Sequence, residues 1–156
     1  MIDRKIVYNK NILIAVDESK NSHRAVSYVS QLLAGIKGLK VLLLHVINQP
    51  EEDYFSTSTE KEKWLSNYKL KVDVMLEDYR QMLIREGFSP GDVLVRSTLQ
   101  YCPSMAECIL VERDETQYST IVVGRQGISR SEEFLFGSVS SKIVTHARNC
   151  TVWVVE

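Results

Sequence analysis

One stretch of this chain has the residue types and spacing to hold a phosphate. Ile121-Val122-Val123-Gly124-Arg125-Gln126-Gly127 runs from β-branched residues into glycines, and nine residues later comes Gly137-Ser138. A glycine directly after such a run lets the backbone turn sharply and approach a ligand closely. A Gly-Ser pair where a helix should begin offers unpaired N–H groups and the positive end of a helix dipole, and both favour an anion. The pattern G-x2-G-x9-G-[ST] is therefore a candidate cradle for a nucleotide phosphate.

The commoner phosphate loops do not fit. No lysine follows a glycine in the Walker A frame, G-x-x-x-x-G-K-[ST]. The dinucleotide fingerprint G-x-G-x-x-G should follow the first strand, yet that strand runs into Val16-Asp17-Glu18-Ser19 without a glycine. The glycine pattern here follows a late strand instead.

The elements that must position this loop alternate along the chain. Ile12–Val16 is a continuous apolar run, as expected of a strand covered on both faces. A helix follows, with Ser19, Asn21 or Ser22 as candidate cap and Ala25, Val29, Leu32 and Leu33 at helical spacing, until Gly35 and Gly38. Val41–Ile47 is a second buried strand. Residues 48–59 read as an irregular, acidic and hydroxyl-rich stretch that should be mobile. A long helix then carries Trp64, Tyr68, Val72, Met75, Tyr79 and Met82 on one core-packing stripe and stops at Gly87. Val93–Thr98 is more polar, so nearer a sheet edge. Pro103 opens a helix with Met105, Ala106, Ile109 and Leu110. Thr120–Gly124 is a strand, Ser138 opens a helix with Val139, Ile143, Val144 and Ala147, and Thr151–Val155 is the last strand.

Strict alternation with buried strands predicts an α/β fold with a parallel sheet and helices on both faces. In a five-stranded sheet ordered 3-2-1-4-5, ligands sit where the order reverses, beyond the carboxyl ends of strands one and four. Asp17 closes the first of these strands and Gly124 the second. Topology and the glycine spacing therefore point independently to one crevice.

Bulk properties narrow the reading. The 156 residues make one domain, 1–156, large enough for a proper core. A net charge of −1 with 25% charged residues marks neither a nucleic-acid nor a membrane surface. No signal peptide or membrane span is expected. Three cysteines without CxxC spacing read as reduced thiols of a cytoplasmic protein.

Asn11–Asp17, Leu43-Leu44-His45-Val46, the Gly124/Gly127/Gly137-Ser138 loop and the closing Thr151–Val155 together resemble the universal stress protein family over essentially residues 8–156. The resemblance implies an adenine-nucleotide-binding fold like that of the adenine nucleotide alpha hydrolases. The full glycine motif implies the branch that binds ATP. Position by position, Ala15 and Asp17 would line the site from strand one. Asp17 would approach ribose and phosphates and help hold Mg or Mn. Val46 would contact adenine through its backbone, and Val123 and Gly124 would flank base and ribose. Gly127, Gly137, Ser138 and Val139 would give N–H groups to the phosphates.

Each position has a plainer competitor. Asp17 also suits a helix-capping or turn role, Gly124 and Gly127 suit ligand-free turns, and Ser138 suits a simple N-cap. His45 fits a hydrogen-bonded core histidine better than a ligand or base, and His23 and His146 fit solvated helix positions. Arg125 stands where the family commonly has a small serine; it can reach phosphate or a dimer partner. Glu132 and Glu133 oppose a polyphosphate unless Arg125 and Arg130 offset them. No catalytic base is identifiable, so the function expected is a nucleotide-dependent stress-response switch with at most weak ATPase activity. The alternative is a non-nucleotide-binding dimeric interaction module. Val152–Val155 is apolar on both faces yet placed at a sheet edge, which predicts a homodimer through strand Thr151–Val155.

Overall fold

The computed structural model describes residues 5–126 and 137–156, with the backbone alone at residue 52. Five strands, β1 (Ile12–Ala15), β2 (Val41–Asn48), β3 (Val93–Gln100), β4 (Thr120–Gly124) and β5 (Thr151–Val155), alternate with four helices. These are α1 (Lys20–Leu33), α2 (Ser58–Arg85), α3 (Met105–Thr116) and α4 (Ser138–His146). All strands run parallel in the order β3-β2-β1-β4-β5, the expected sheet. Gly127 and the acidic and basic positions at 130, 132 and 133 lie outside the described residues.

The sheet is a septum between two apolar layers. Alternate residues of each strand point to opposite faces. Ile12, Ile14, Val41, Leu43 and Val122 pack with α1 and α2 on one side, against Ala25, Val29, Val72, Leu76 and Leu83. Leu13, Leu42, Leu44, Ile121 and Val123 pack with α3 and α4 on the other, against Ala106, Ile109 and Ile143. Double coverage explains why β1, β2 and β4 are mostly apolar along their length rather than alternating, with His45 a buried exception in β2. The outer strand β3 leaves Leu94, Val95 and Leu99 exposed, in keeping with its edge position. Leu32 and Val144 share the helical spacing of their neighbours but face outward.

Helix starts follow side-chain chemistry. Ser19 caps α1, its hydroxyl accepting from Ser22 N–H at 3.1 Å. Thr57 caps α2 in the same way from Glu60, whose carboxylate accepts from Ser56 N–H at 3.1 Å. This reciprocal arrangement resembles a capping box. It starts α2 inside the stretch expected to be irregular. A short 3-10 turn, Glu52–Tyr54, occupies more of that stretch. Along α2 Val72 and Tyr79 of the expected stripe are buried, Trp64 and Tyr68 are half-buried, and the most buried residues of the helix, Leu76 and Leu83, lie outside that stripe.

The cysteines differ from expectation. Cys102, just after β3, and Cys108, in the second turn of α3, form a disulfide with Cα atoms 5.9 Å apart, which leaves Cys150 as the free thiol. The reading of three reduced thiols is corrected accordingly. Their proximity depends on the tight turn from β3 into α3, which spacing alone does not reveal.

Candidate nucleotide site

Register brings the predicted residues together. Ile12 lies beside both Val41 and Thr120, so Ala15 ends level with Leu44 on one flank and Val123 on the other. Beyond these carboxyl ends a cavity of about 400 Å³ opens, within the usual size of small-molecule sites. Its lining includes Ala15, Asp17, Val46, Val123, Gly124, Arg125, Gly137, Ser138 and Val139. Every described residue expected at the site thus borders one space. Gly127 lies outside the described residues.

The lining combines two chemistries. Leu44, Val46, Met105, Ile109, Val123 and Val139 give apolar side chains suited to a flat, weakly polar ring. Asp17, Ser22, Ser138 and Ser140 add polar groups. Met105 and Ile109 were read from the sequence as ordinary core positions of α3. Their i, i+4 spacing is the same for a helix facing a core and a helix facing a cavity.

Asp17 is held rather than free to swing. Its Oδ1 accepts from Ser19 N–H at 2.9 Å, an Asx-turn, and from the Ser22 hydroxyl at 2.8 Å. The Ser22 oxygen in turn accepts from Asp17 N–H at 2.9 Å. On the opposite side, Asp17 carbonyl accepts from the Tyr79 hydroxyl at 2.8 Å. Burial first, then the charges of Asp17 and Glu18, push the Tyr79 phenol up to about 12. Burial also raises Tyr68, again with help from Glu18 and Asp17. The turn role and a binding role are compatible, because the hydrogen bonds described engage one carboxylate oxygen.

His45 is buried and bonded through both ring nitrogens, as a core histidine should be. Val16 carbonyl, at 2.7 Å, requires Nδ1 to carry the proton, so Nε2 accepts from Tyr68 hydroxyl at 3.2 Å. The ring also borders the cavity.

The anion-binding end rests on α4. Gly137, not Ser138, is the N-cap, and no side chain caps the helix. Ser138 therefore occupies the first helical position, with its hydroxyl left to the cavity side. The N–H groups of the first turn need partners that the helix does not provide. Arg125 carbonyl accepts from Gly137 N–H at 2.8 Å and from Ser140 hydroxyl at 2.7 Å. These bonds pin the α4 start to the end of β4. A Cβ at Gly137 would come within 3.1 Å of that same carbonyl.

Two features of the glycine loop have reasons other than a ligand. A Cβ at Gly124 would sit 2.7–2.9 Å from Asn21 backbone and Cβ atoms, so this glycine admits the first turn of α1. The Arg125 guanidinium pairs with Glu156 at 2.8 Å, beyond the end of β5, and its buried Nε has no hydrogen-bond partner among the described residues. Arg125 is thus directed to the C-terminus in this structure rather than to the phosphate end.

Among the described residues, no group of three or more His, Cys, Asp or Glu side chains gathers to hold a metal ion. A magnesium ion commonly takes one or two carboxylates and completes its shell with phosphate oxygens and water. Asp17 alone fits that partial role. No described helix is long and apolar enough to cross a membrane.

Comparison with known proteins identifies the family and agrees with the fold. The model of the universal stress protein family matches residues 9–156. A Staphylococcus haemolyticus protein provisionally named a universal stress protein is 29% identical over 151 residues, covering 94% of this chain and 84% of its own. The structure of a universal stress protein from Lactobacillus plantarum aligns with TM-score 0.75 at 18% identity, over 96% of this chain and 99% of the other. One from Archaeoglobus fulgidus in complex with dAMP aligns with TM-score 0.61 at 20% identity, over 97% and 99%. At these identities the structural likeness shows the fold.

Proposed function

Since the chain belongs to the universal stress protein family, we propose that it binds ATP, or another adenine nucleotide, at the β1/β4 cleft and acts as a nucleotide-dependent stress-response switch. One observation carries the reading: a cavity of about 400 Å³ at the switch point of the sheet is lined by apolar side chains, by Asp17 and by a helix N-terminus that no side chain caps. The adenine lies beside Val46, Val123, Met105 and Ile109. The unengaged oxygen of Asp17 takes a ribose hydroxyl or a Mg or Mn ion that arrives with the phosphates. The N–H groups of Ser138 and Val139 take phosphate oxygens, and the α4 dipole adds to their pull. The dAMP complex of the Archaeoglobus fulgidus relative supports the ligand class.

No group here is assigned to proton transfer or to stabilising a leaving phosphate, which phosphoryl transfer would need. The reading is occupancy rather than turnover, with at most slow hydrolysis. A cytoplasmic homodimer formed through β5 completes it, because that edge strand carries half-buried Val152, Trp153, Val154 and Val155. A non-nucleotide interaction module is the second reading, favoured by Gly124 and Arg125 having structural partners of their own. Small molecules released from freshly purified protein and identified by mass separate the two. Adenine nucleotide supports the first; an empty site that also stays empty under excess ATP and magnesium supports the second.

A further inference from the structure

Met105, in the apolar wall of the cavity, lies inside a covalent ring. The Cys102–Cys108 bond closes residues 102–108 on themselves, and Ile109, the next wall residue, follows directly. Apart from that bond, the start of α3 is held by the Ser104 hydroxyl accepting from Glu107 N–H at a long 3.3 Å, the Ser104 carbonyl accepting from Cys108 N–H at 3.3 Å, and the packing of Ala106 and Ile109. Both sulfurs sit in the apolar layer under the cavity wall, each residue about 95% buried, beside Val46, Ala106 and Ile109. A small apolar thiol packs well in such a place, so the fold tolerates the reduced form while the ring opens.

We propose that Cys102 and Cys108 form a reversible, peroxide-sensitive pair whose oxidation fixes the Met105–Ile109 wall and tightens nucleotide binding; this rests on the reading of the cavity as a nucleotide site. Hydrogen peroxide, a two-electron oxidant, is the oxidant class. One thiol is oxidised to a sulfenic acid as the O–O bond breaks and water leaves. The second sulfur attacks the first, the S–S bond forms and a second water departs. Two thiols thus give two electrons and two protons to one peroxide. A dithiol reductant reverses the change by thiol–disulfide exchange. In a reducing compartment such a bond persists only transiently, as sensors require. Closing a ring restricts the wall before ligand arrives, so less ordering is left for binding.

The test uses the full chain treated with stoichiometric hydrogen peroxide or with dithiothreitol, then desalted. Alkylation under denaturing conditions, read by mass, should count one reactive cysteine (Cys150) after peroxide and three after reduction. Calorimetry with Mg-ATP should show about two- to tenfold tighter binding to the oxidised form, the worth of roughly one side chain ordered in advance. Cys108→Ser should lose the peroxide response and Cys150→Ser keep it. Three reactive cysteines after peroxide overturn the pair; equal affinities of the two forms overturn the coupling. If Mg-ATP binds neither form, the nucleotide reading fails separately. Hydrogen exchange over residues 101–110 then decides: slower exchange after oxidation supports the wall's redox control, and equal exchange overturns it.

Discussion

The Ser22 hydroxyl bridges the two ends of Asp17, accepting from its N–H at 2.9 Å and donating to its Oδ1 at 2.8 Å. One small side chain in the first turn of α1 thus fixes both the backbone and the carboxylate at the carboxyl end of β1. Ser22 is buried, so water cannot replace it without rearrangement. Ser22→Ala should lower stability by about 1–3 kcal/mol through unsatisfied groups. It should also weaken Mg-ATP binding by letting the Asp17 side chain turn. Urea denaturation and calorimetry on the same variant check both effects; an unchanged denaturation midpoint would show that the bridge contributes nothing.

The two glycines at the ends of the loop should differ in what a methyl group does. At Gly124 the obstacle is Asn21 backbone at 2.7 Å, which moves only if α1 moves. At Gly137 the nearest atom is Arg125 carbonyl oxygen at 3.1 Å, where a few tenths of an ångström suffice. Gly124→Ala should therefore cost about 1–3 kcal/mol, in the range of overpacked cores, and Gly137→Ala less. Thermal or chemical melts of the pair test the order, and the reverse order would contradict it.

Tyr79 supplies a pH signature. Its folded pKa, about 12, lies above the ordinary 10.0 of an unfolded tyrosine. The folded chain therefore keeps the proton over a range where the unfolded chain has released it. The stabilisation is fully present below pH 10 and is lost as pH rises toward 12. Tyr79→Phe removes the bond to Asp17 carbonyl, costing about 1 kcal/mol near neutral pH. It should also flatten the decline of stability across the alkaline range. A decline just as steep in the variant would assign it to other groups.

Assembly is tested at β5. Its outer edge pairs with no strand among the described residues, while β4 occupies the inner one. If two copies meet edge to edge, a lysine at Val154 is buried at the interface without a partner. Val154→Lys should shift the protein toward monomer in light scattering, whereas a parent protein already monomeric at micromolar concentration rules the dimer out.

The fold was readable from the sequence because its strands are covered on both faces. Ile12–Val16 is an unbroken apolar run and Val41–Ile47 is broken only by His45, as suits strands of a buried parallel sheet, and the helices between them show their own period. The place of Asp17 and Gly124 at one crevice followed from that order. Contacts between distant segments were not readable. Gly124 and Asn21 meet across distant segments, so the sequence offered a ligand or a turn as reasons for Gly124 but not this close approach to α1. Met105 and Ile109 border the cavity as well as packing in the layer beneath it, and helical spacing does not distinguish the two. Ser138 read as a cap, but Gly137 reaches the capping position first, since Arg125 carbonyl draws its N–H inward.

Calorimetric titration of Mg-ATP into the parent protein and into Asp17→Asn tests the central claim most directly. Saturable binding of one nucleotide per chain, weakened in Asp17→Asn while the fold is kept, is the predicted result. No saturable heat in the parent protein at millimolar ATP would contradict it.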